Sequence, residues 1–218
     1  MLRLFIDSAA PADWRTWLPS GLLFGITTNP TLLKRVGLRC EPASLQRLTE
    51  TALGLGTQEL HLQAWGGDAA ALYDCGSALA ALAPSQIVVK LPITRAGCEA
   101  AARLIAAGHR ITFTACYDAS QMLIASALGA DYAAPYLGRI SDAGRDGHAE
   151  VIHMQRTLDG LSSRTRLLAA SLRQVGDVSR LAAAGISSFT LSPTLLGALF
   201  EQPGTLAAAA QFEADAAG

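Results

Sequence analysis

Gln86-Ile-Val-Val-Lys-Leu-Pro92 is followed by Thr94, a run to Gly108, and then Arg110-Ile-Thr-Phe-Thr-Ala115. The first stretch is apolar and β-branched, with Pro84-Ser85 before it and Pro92 at its end, which predicts a buried strand. Thr94 is a helix-capping residue and Gly108 a stop signal, so a helix is predicted over 94–107. The second apolar run predicts another strand. Strand, crossover helix and strand make the repeating unit of a parallel sheet.

The same alternation runs through the chain. Strands are predicted over 2–7, 22–29, 59–65, 131–137, 166–171 and 187–192, besides the two above. Helices are predicted over 9–18, 42–54, 68–82, 118–128, 148–161, 175–184 and 193–200, with a weaker one ending at Val36. Residues 138–147 are expected to form the longest polar, glycine-rich loop. Eight strand–helix units close into a (β/α)₈ TIM barrel more readily than they form an open sheet. The expectation is a single α/β domain over 1–218, with an extra alanine-rich C-terminal helix over 204–217. A doubly wound nucleotide-binding sheet should carry a glycine fingerprint after its first strand. Asp7-Ser-Ala-Ala-Pro11 stands there instead, and no GxxxxGK occurs.

Half of the 218 residues are hydrophobic and the formal net charge is −1. No basic stripe exists, which argues against nucleic acid as partner. No apolar run reaches membrane-spanning length, and the first residues do not have the layout of a signal peptide. Cys40, Cys75, Cys98 and Cys116 form no CxxC pair, so reduced, mostly buried thiols and a cytoplasmic location are expected. His61, His109, His148 and His153 lack metal-ligand spacing, and no metal or other cofactor is expected. His148 and His153 are expected on a helix exterior.

Of the 17 basic residues only Lys34 and Lys90 are lysines. A lysine in the middle of an apolar strand is costly when charged, and the same cost lowers its pKa. An uncharged amine can attack a ketone, which an arginine cannot do. The bland alternative is a structural lysine paired with a neighbouring carboxylate or snorkelling to the strand end. The polar residues predicted at the C-terminal strand ends of such a barrel are Asp7, Thr27, Asn29, Gln63, Thr112, Thr114, Tyr136, Ser171 and Ser192, with Arg139 and Arg173 just beyond. Singly, each reads as a cap or turn residue. Together they surround one amine. The residue types fit Schiff-base chemistry at Lys90. Asp7 and Tyr136 would handle protons, and Gln63 and Thr114 would hold a water. Arg139, Ser171 and Arg173 would hold an anionic group.

Gly25-Ile-Thr-Thr-Asn-Pro-Thr-Leu-Leu33 resembles the signature of the transaldolase family. Ile87-Val-Val-Lys-Leu-Pro-Ile-Thr94 is similar to its Schiff-base segment. Ala134-Pro-Tyr-Leu-Gly-Arg139 and Ala169-Ala-Ser-Leu-Arg173 match two later motifs. The resemblance implies a (β/α)₈ barrel and a cofactor-free class I aldolase or aldol transferase with a small sugar phosphate as substrate. It implies Lys90 as the Schiff-base residue. Asp7 and Asn29 would assist proton transfer and orient the dihydroxyacetone unit, Thr27 and Ala134 would help bind the substrate, and Arg139, Ser171 and Arg173 would hold the acceptor phosphate. It further implies a homo-oligomer, a decamer in small members, with C-terminal helices exchanged between subunits. Gln63 and Tyr136 are similar to the fructose-6-phosphate aldolase branch, where transaldolases have Glu and Phe. Leu137-Gly138-Arg139 and Arg173 look like the transaldolase pattern. Ala134 lacks the hydroxyl of many transaldolases, and Trp65-Gly-Gly67 fits neither branch. Three readings follow: an aldolase on fructose 6-phosphate, a transaldolase of the pentose phosphate pathway, and a barrel that binds sugar phosphates without turnover.

Overall fold

The computed structural model describes residues 1–218. Its strands are β1 (Arg3–Asp7), β2 (Leu23–Thr27), β3 (Glu59–Gln63), β4 (Ile87–Pro92), β5 (Ile111–Cys116), β6 (Tyr132–Pro135), β7 (Arg166–Leu167) and β8 (Ser188–Leu191). They form one all-parallel sheet in the order β7-β6-β5-β4-β3-β2-β1-β8. Ala169 closes it. Its N–H donates to the Ser188 carbonyl at 2.9 Å, and its own carbonyl accepts from the Thr190 N–H at 2.9 Å. The result is the expected (β/α)₈ barrel.

The intervening helices are α1 (Pro11–Trp17), α2 (Pro30–Arg35), α3 (Pro42–Gly54), α4 (Ala69–Leu82), α5 (Arg95–Ala106), α6 (Gln121–Leu128), α7 (Leu137–Asp142), α8 (Gly147–Gly160), α9 (Val175–Ala183) and α10 (Pro193–Ala198). The predicted caps work by their side chains. Asp68 accepts from the Ala71 N–H at 2.8 Å and Thr94 from the Gly97 N–H at 3.2 Å. One set of alternate strand residues, among them Ile26, Leu60, Leu62, Val89, Leu91, Phe113 and Phe189, packs outward against the helices in one large core. The other set fills the barrel.

That filling is layered. A separate small cluster of Phe5, Val88, Tyr132, Ala134 and Leu168 occupies the interior. Phe5 fits because Gly25 is opposite: a Cβ there would lie 2.3 Å from the Glu59 carbonyl oxygen and 2.8 Å from the Phe5 ring. Below lies a buried ionic layer. Glu59 receives Arg3 at 3.1 Å, Arg110 at 2.6 Å and the Tyr132 hydroxyl at 2.7 Å. His61 Nε2 lies 3.2 Å from the same carboxylate, and its Nδ1 lies 2.9 Å from the Thr112 hydroxyl. A carboxylate only accepts, so Nε2 carries the proton and Thr112 donates to Nδ1. The tautomer is thereby set.

Three expectations are corrected. Residues 138–147 are not a long loop: α7 uses 137–142 and α8 starts at Gly147, because Leu137 and Ile140 are buried at helical spacing among polar neighbours. The strand expected over 166–171 keeps regular pairing only at Arg166–Leu167 and then continues as single bridges at Ala169 and Ala170. Ser171 ends it with φ +58°. His148 does not face outward: its Nε2 lies 3.0 Å from Asp177 of α9 and its side chain is largely covered, whereas His153 is exposed. Of the four free thiols only Cys116 is fully buried; the other three are half-buried. The last helix, α11 (Pro203–Ala217), is exposed along its whole length, Leu206 and Phe212 included. No helix is long and apolar enough to cross a membrane.

The ionic layer sets an acid limit. Burial drives the His61 pKa down from 6.5 to about 4. Between those values the unfolded chain binds a proton that the folded barrel refuses, so stability rises with pH there and is lost as pH falls. Burial alone would raise the Glu59 pKa, but hydrogen bonds led by His61 outweigh it and hold the carboxyl at about 2. Its contribution is lost in the same direction, below about pH 4.5. We expect the unfolding free energy in urea to fall by on the order of 3 kcal/mol between pH 6.5 and 4 from His61 alone. His61→Gln should flatten that segment of the curve.

Candidate active site

A cavity of about 440 Å³ opens at the C-terminal end of the barrel, the end where βα loops build active sites. It is lined by Asp7, Thr27, Asn29, Gln63, Lys90, Thr114, Ala134, Tyr136, Arg139 and Ser171, among others. Ten of the eleven residues expected at the site are therefore brought together. The exception is Arg173, which is exposed and ion-paired with Asp142. Two of the further residues predicted at strand ends also stand elsewhere. Ser192 caps α10, accepting from the Leu195 N–H at 3.2 Å, and Thr112 is committed below to His61.

Strand alternation explains the assembly. Gln63 pairs in register with Lys90, Lys90 with Thr112, and Pro92 with Thr114. Lys90 is 5 % exposed, at the cavity floor. Its ammonium donates to the Thr28 carbonyl oxygen at 2.7 Å, and no carboxylate lies in salt-bridge contact with it. Burial pushes its pKa below the ordinary lysine value; the negative charge of Asp7 pulls it partly back. Of the two structural alternatives, the one that locks the lysine in an ion pair is thus not what the barrel contains.

Two hydroxyl relays hold the other polar groups. Thr27 donates to Asp7 Oδ1 at 2.7 Å, which commits its only proton, so Thr190 must donate to Thr27 across 2.5 Å. Asp7 is thereby oriented through two strands. On the far side Thr114 and Tyr136 share a 2.5 Å hydrogen bond. Burial raises the Tyr136 pKa, so the phenol carries its proton at neutral pH. The Arg139 guanidinium stands 5.0 Å from the Tyr136 ring centroid, a cation–π distance. Asn29 uses its Oδ1 to cap α2, accepting from the Leu32 N–H at 3.0 Å, so its amide NH₂ is left for the cavity.

The rim also stores backbone strain. Ala115 and Ser171 line the cavity and both have φ +58°, in the left-handed region that costs a non-glycine residue about 1 kcal/mol or more. The β5–β6 pairing shifts register between Phe113 and Cys116, a bulge beside the cavity. Sequence reading missed Thr190 and Arg35, which also line the cavity. Thr190 was accessible in principle, because strand alternation puts it on the face opposite Phe189 and Leu191, which pack in the outer core. Arg35 gave no signal, since it belongs to a helix rather than a strand end.

The cavity can hold a polar molecule of several carbons, present to it a buried amine whose pKa burial lowers, move protons through a phenol and a carboxylate, and meet negative charge with a guanidinium. Residues 4–217 match the family model described as Transaldolase/Fructose-6-phosphate aldolase. The chain is 32 % identical over 214 residues to a "Probable transaldolase" of Phenylobacterium zucineum (strain HLK1), covering 98 % of this chain and 96 % of that one. It is 31 % identical over the same coverage to a "Probable transaldolase" of Rhizobium meliloti (strain 1021). For one of Brucella melitensis biotype 1 the value is 29 %, again with 98 % and 96 % covered.

A buried amine held for chemistry is held against stability. Lys90→Met should keep the side-chain length, remove the desolvation cost and raise the unfolding free energy by about 1–2 kcal/mol. Chemical denaturation of the two proteins checks this. A destabilised variant would mean that the amine is structural.

Proposed function

Because the chain belongs to the transaldolase/fructose-6-phosphate aldolase family, whose members are enzymes of aldolase and transferase type, we propose that it cleaves fructose 6-phosphate reversibly to dihydroxyacetone and glyceraldehyde 3-phosphate. Lys90 Nζ adds to the C2 ketone, and loss of water gives an iminium. A base removes the C4 hydroxyl proton, the C3–C4 bond breaks, and its electron pair flows to the iminium nitrogen. Glyceraldehyde 3-phosphate leaves and an enamine remains. Tyr136, with Thr114 as its partner, returns a proton to C3 of the enamine. Water then hydrolyses the new iminium, frees dihydroxyacetone and restores the amine. Gln63 and Thr114 position that water, while Asp7, Thr27 and Asn29 orient the three-carbon unit. Arg139 and Ser171 hold the phosphate; Arg173 can join them on release from Asp142. The exposed α11 supports the expectation that it packs on a neighbouring subunit.

The observation that carries this reading is the Tyr136 phenol, protonated and hydrogen-bonded to Thr114 in the cavity that contains Lys90. A proton donor beside the enamine favours release of the three-carbon fragment. Without one, the enamine persists until a second aldehyde accepts it. The second reading, transfer of the fragment between sugar phosphates, is favoured by the names of the relatives.

Borohydride added during incubation with fructose 6-phosphate should fix a three- or six-carbon adduct on the Lys90 peptide, read by mass. Tyr136→Phe should lower release of free dihydroxyacetone at least about tenfold and raise transfer to erythrose 4-phosphate. Unchanged release in that variant would sink the aldolase assignment. An absent adduct would sink both readings.

A further inference from the structure

Arg139 and Asp142 stand three residues apart in α7 and so share one face of that helix. Arg139 lines the cavity and has no carboxylate partner. Asp142 is ion-paired with Arg173, which belongs to the turn after β7. The hydrogen bond from Arg173, with the charges of Arg173 and then Arg139, holds the Asp142 carboxyl below its ordinary pKa. One carboxylate thus sits in the field of two guanidinium groups.

Arg173 is rooted at the cavity, although its head group is not part of the lining. A Cβ on Gly138 would lie 2.6 Å from the Ser171 carbonyl oxygen, 2.7 Å from Arg173 Nε and 3.0 Å from the Ser171 hydroxyl oxygen. The bare backbone of Gly138 therefore lets the arginine run past close to that hydroxyl, and Ser171 does line the cavity. The Arg173 backbone N–H donates to Asp177 Oδ2 at 2.9 Å, and Asp177 is buried and also meets His148. The root of the side chain is fixed. Turning its guanidinium from Asp142 toward Ser171 asks for a change of rotamer, not of backbone.

A phosphate held by Arg139 and Ser171 stands in the same field. Its negative charges attract Arg173, which Asp142 neutralises, and they are repelled by Asp142 itself. Both effects of the carboxylate oppose a dianion, and neither acts on a neutral hydroxymethyl group. Arg173 and Asp142 are each more than half exposed, so water and salt keep the effect to a few-fold.

We infer that Asp142 competes with the substrate phosphate for Arg173, and so sets how strongly this site prefers phosphorylated aldehydes over neutral ones. The inference rests on the Schiff-base reading above for where the phosphate lies. It makes Asp142 a specificity residue with no part in the bond-breaking step.

The test measures kcat and KM for addition of dihydroxyacetone to glyceraldehyde 3-phosphate and to glyceraldehyde. It uses the full chain, Asp142→Asn, Arg173→Gln and the double variant. Equilibrium binding of glycerol 3-phosphate, which has no carbonyl to react, and borohydride trapping of dihydroxyacetone on Lys90 are measured beside it. Asp142→Asn should raise the kcat/KM ratio of phosphorylated over neutral aldehyde by about three- to fivefold at low salt, chiefly through KM, and tighten glycerol 3-phosphate to match. Both gains should shrink at high salt. Both should vanish when the double variant is compared with Arg173→Gln. A ratio unchanged or lowered in Asp142→Asn, or a gain that survives without Arg173, would overturn the inference; dihydroxyacetone still trapped on Lys90 would leave the Schiff-base reading standing. No trapping, with glycerol 3-phosphate still tightened by Asp142→Asn through Arg173, would do the reverse.

Discussion

The interior of an eight-stranded barrel is too narrow to be wet, so each inward side chain must find its partners among the others. This constraint explains the layers. Glu59 can be ionised at the base only because two guanidinium groups, a phenol and an imidazole converge on it. The apolar middle layer then separates that ionic base from the amine above. Burial lowers the pKa of Lys90, and because the amine meets a backbone carbonyl where a carboxylate could have stood, no contact ion pair reverses that shift. Had an acid been placed in contact with it, the same lysine would be a spectator.

The walls of the cavity obey the same rule. Thr190 and Thr27 have no use for water once they are enclosed, so they pass a hydrogen bond toward Asp7. Thr114 and Tyr136 satisfy one another. Each relay joins different segments of the barrel, so the positions of Asp7 and Tyr136 are tied to more than one loop. The strain at Ala115 and Ser171 fits this picture: the rim departs from regular strand geometry where polar groups must turn inward.

Much of this was legible in the sequence because two periodicities are simple. Strand–helix alternation gave the barrel, and the polar residues at the C-terminal strand ends gave Asp7, Gln63 and Thr114 around Lys90. A lone interior lysine among arginines was the sharpest clue. What escaped has physical reasons. Glycines and polar residues around 138–147 mask Leu137 and Ile140, so a short helix looked like a loop. A left-handed residue at 171 cannot be read from a serine, so β7 looked longer than it is. Arg173 reads from sequence as the more ordinary surface arginine of the two, but its neutralisation depends on Asp142, 31 residues earlier in the chain. The inward imidazole of His148 depends on Asp177, which is far off along the chain.

The scarcity of lysine has a practical side. The chain offers acylating reagents just two accessible amines, the α-amino group of Met1 and the side chain of exposed Lys34. They stand at opposite poles, one before β1 at the base and the other in α2 beside the cavity mouth. A bulky ester would label either without reaching the floor of the barrel. Immobilisation through Lys34 would turn the mouth toward the support, and attachment through the terminus would leave it facing the solution.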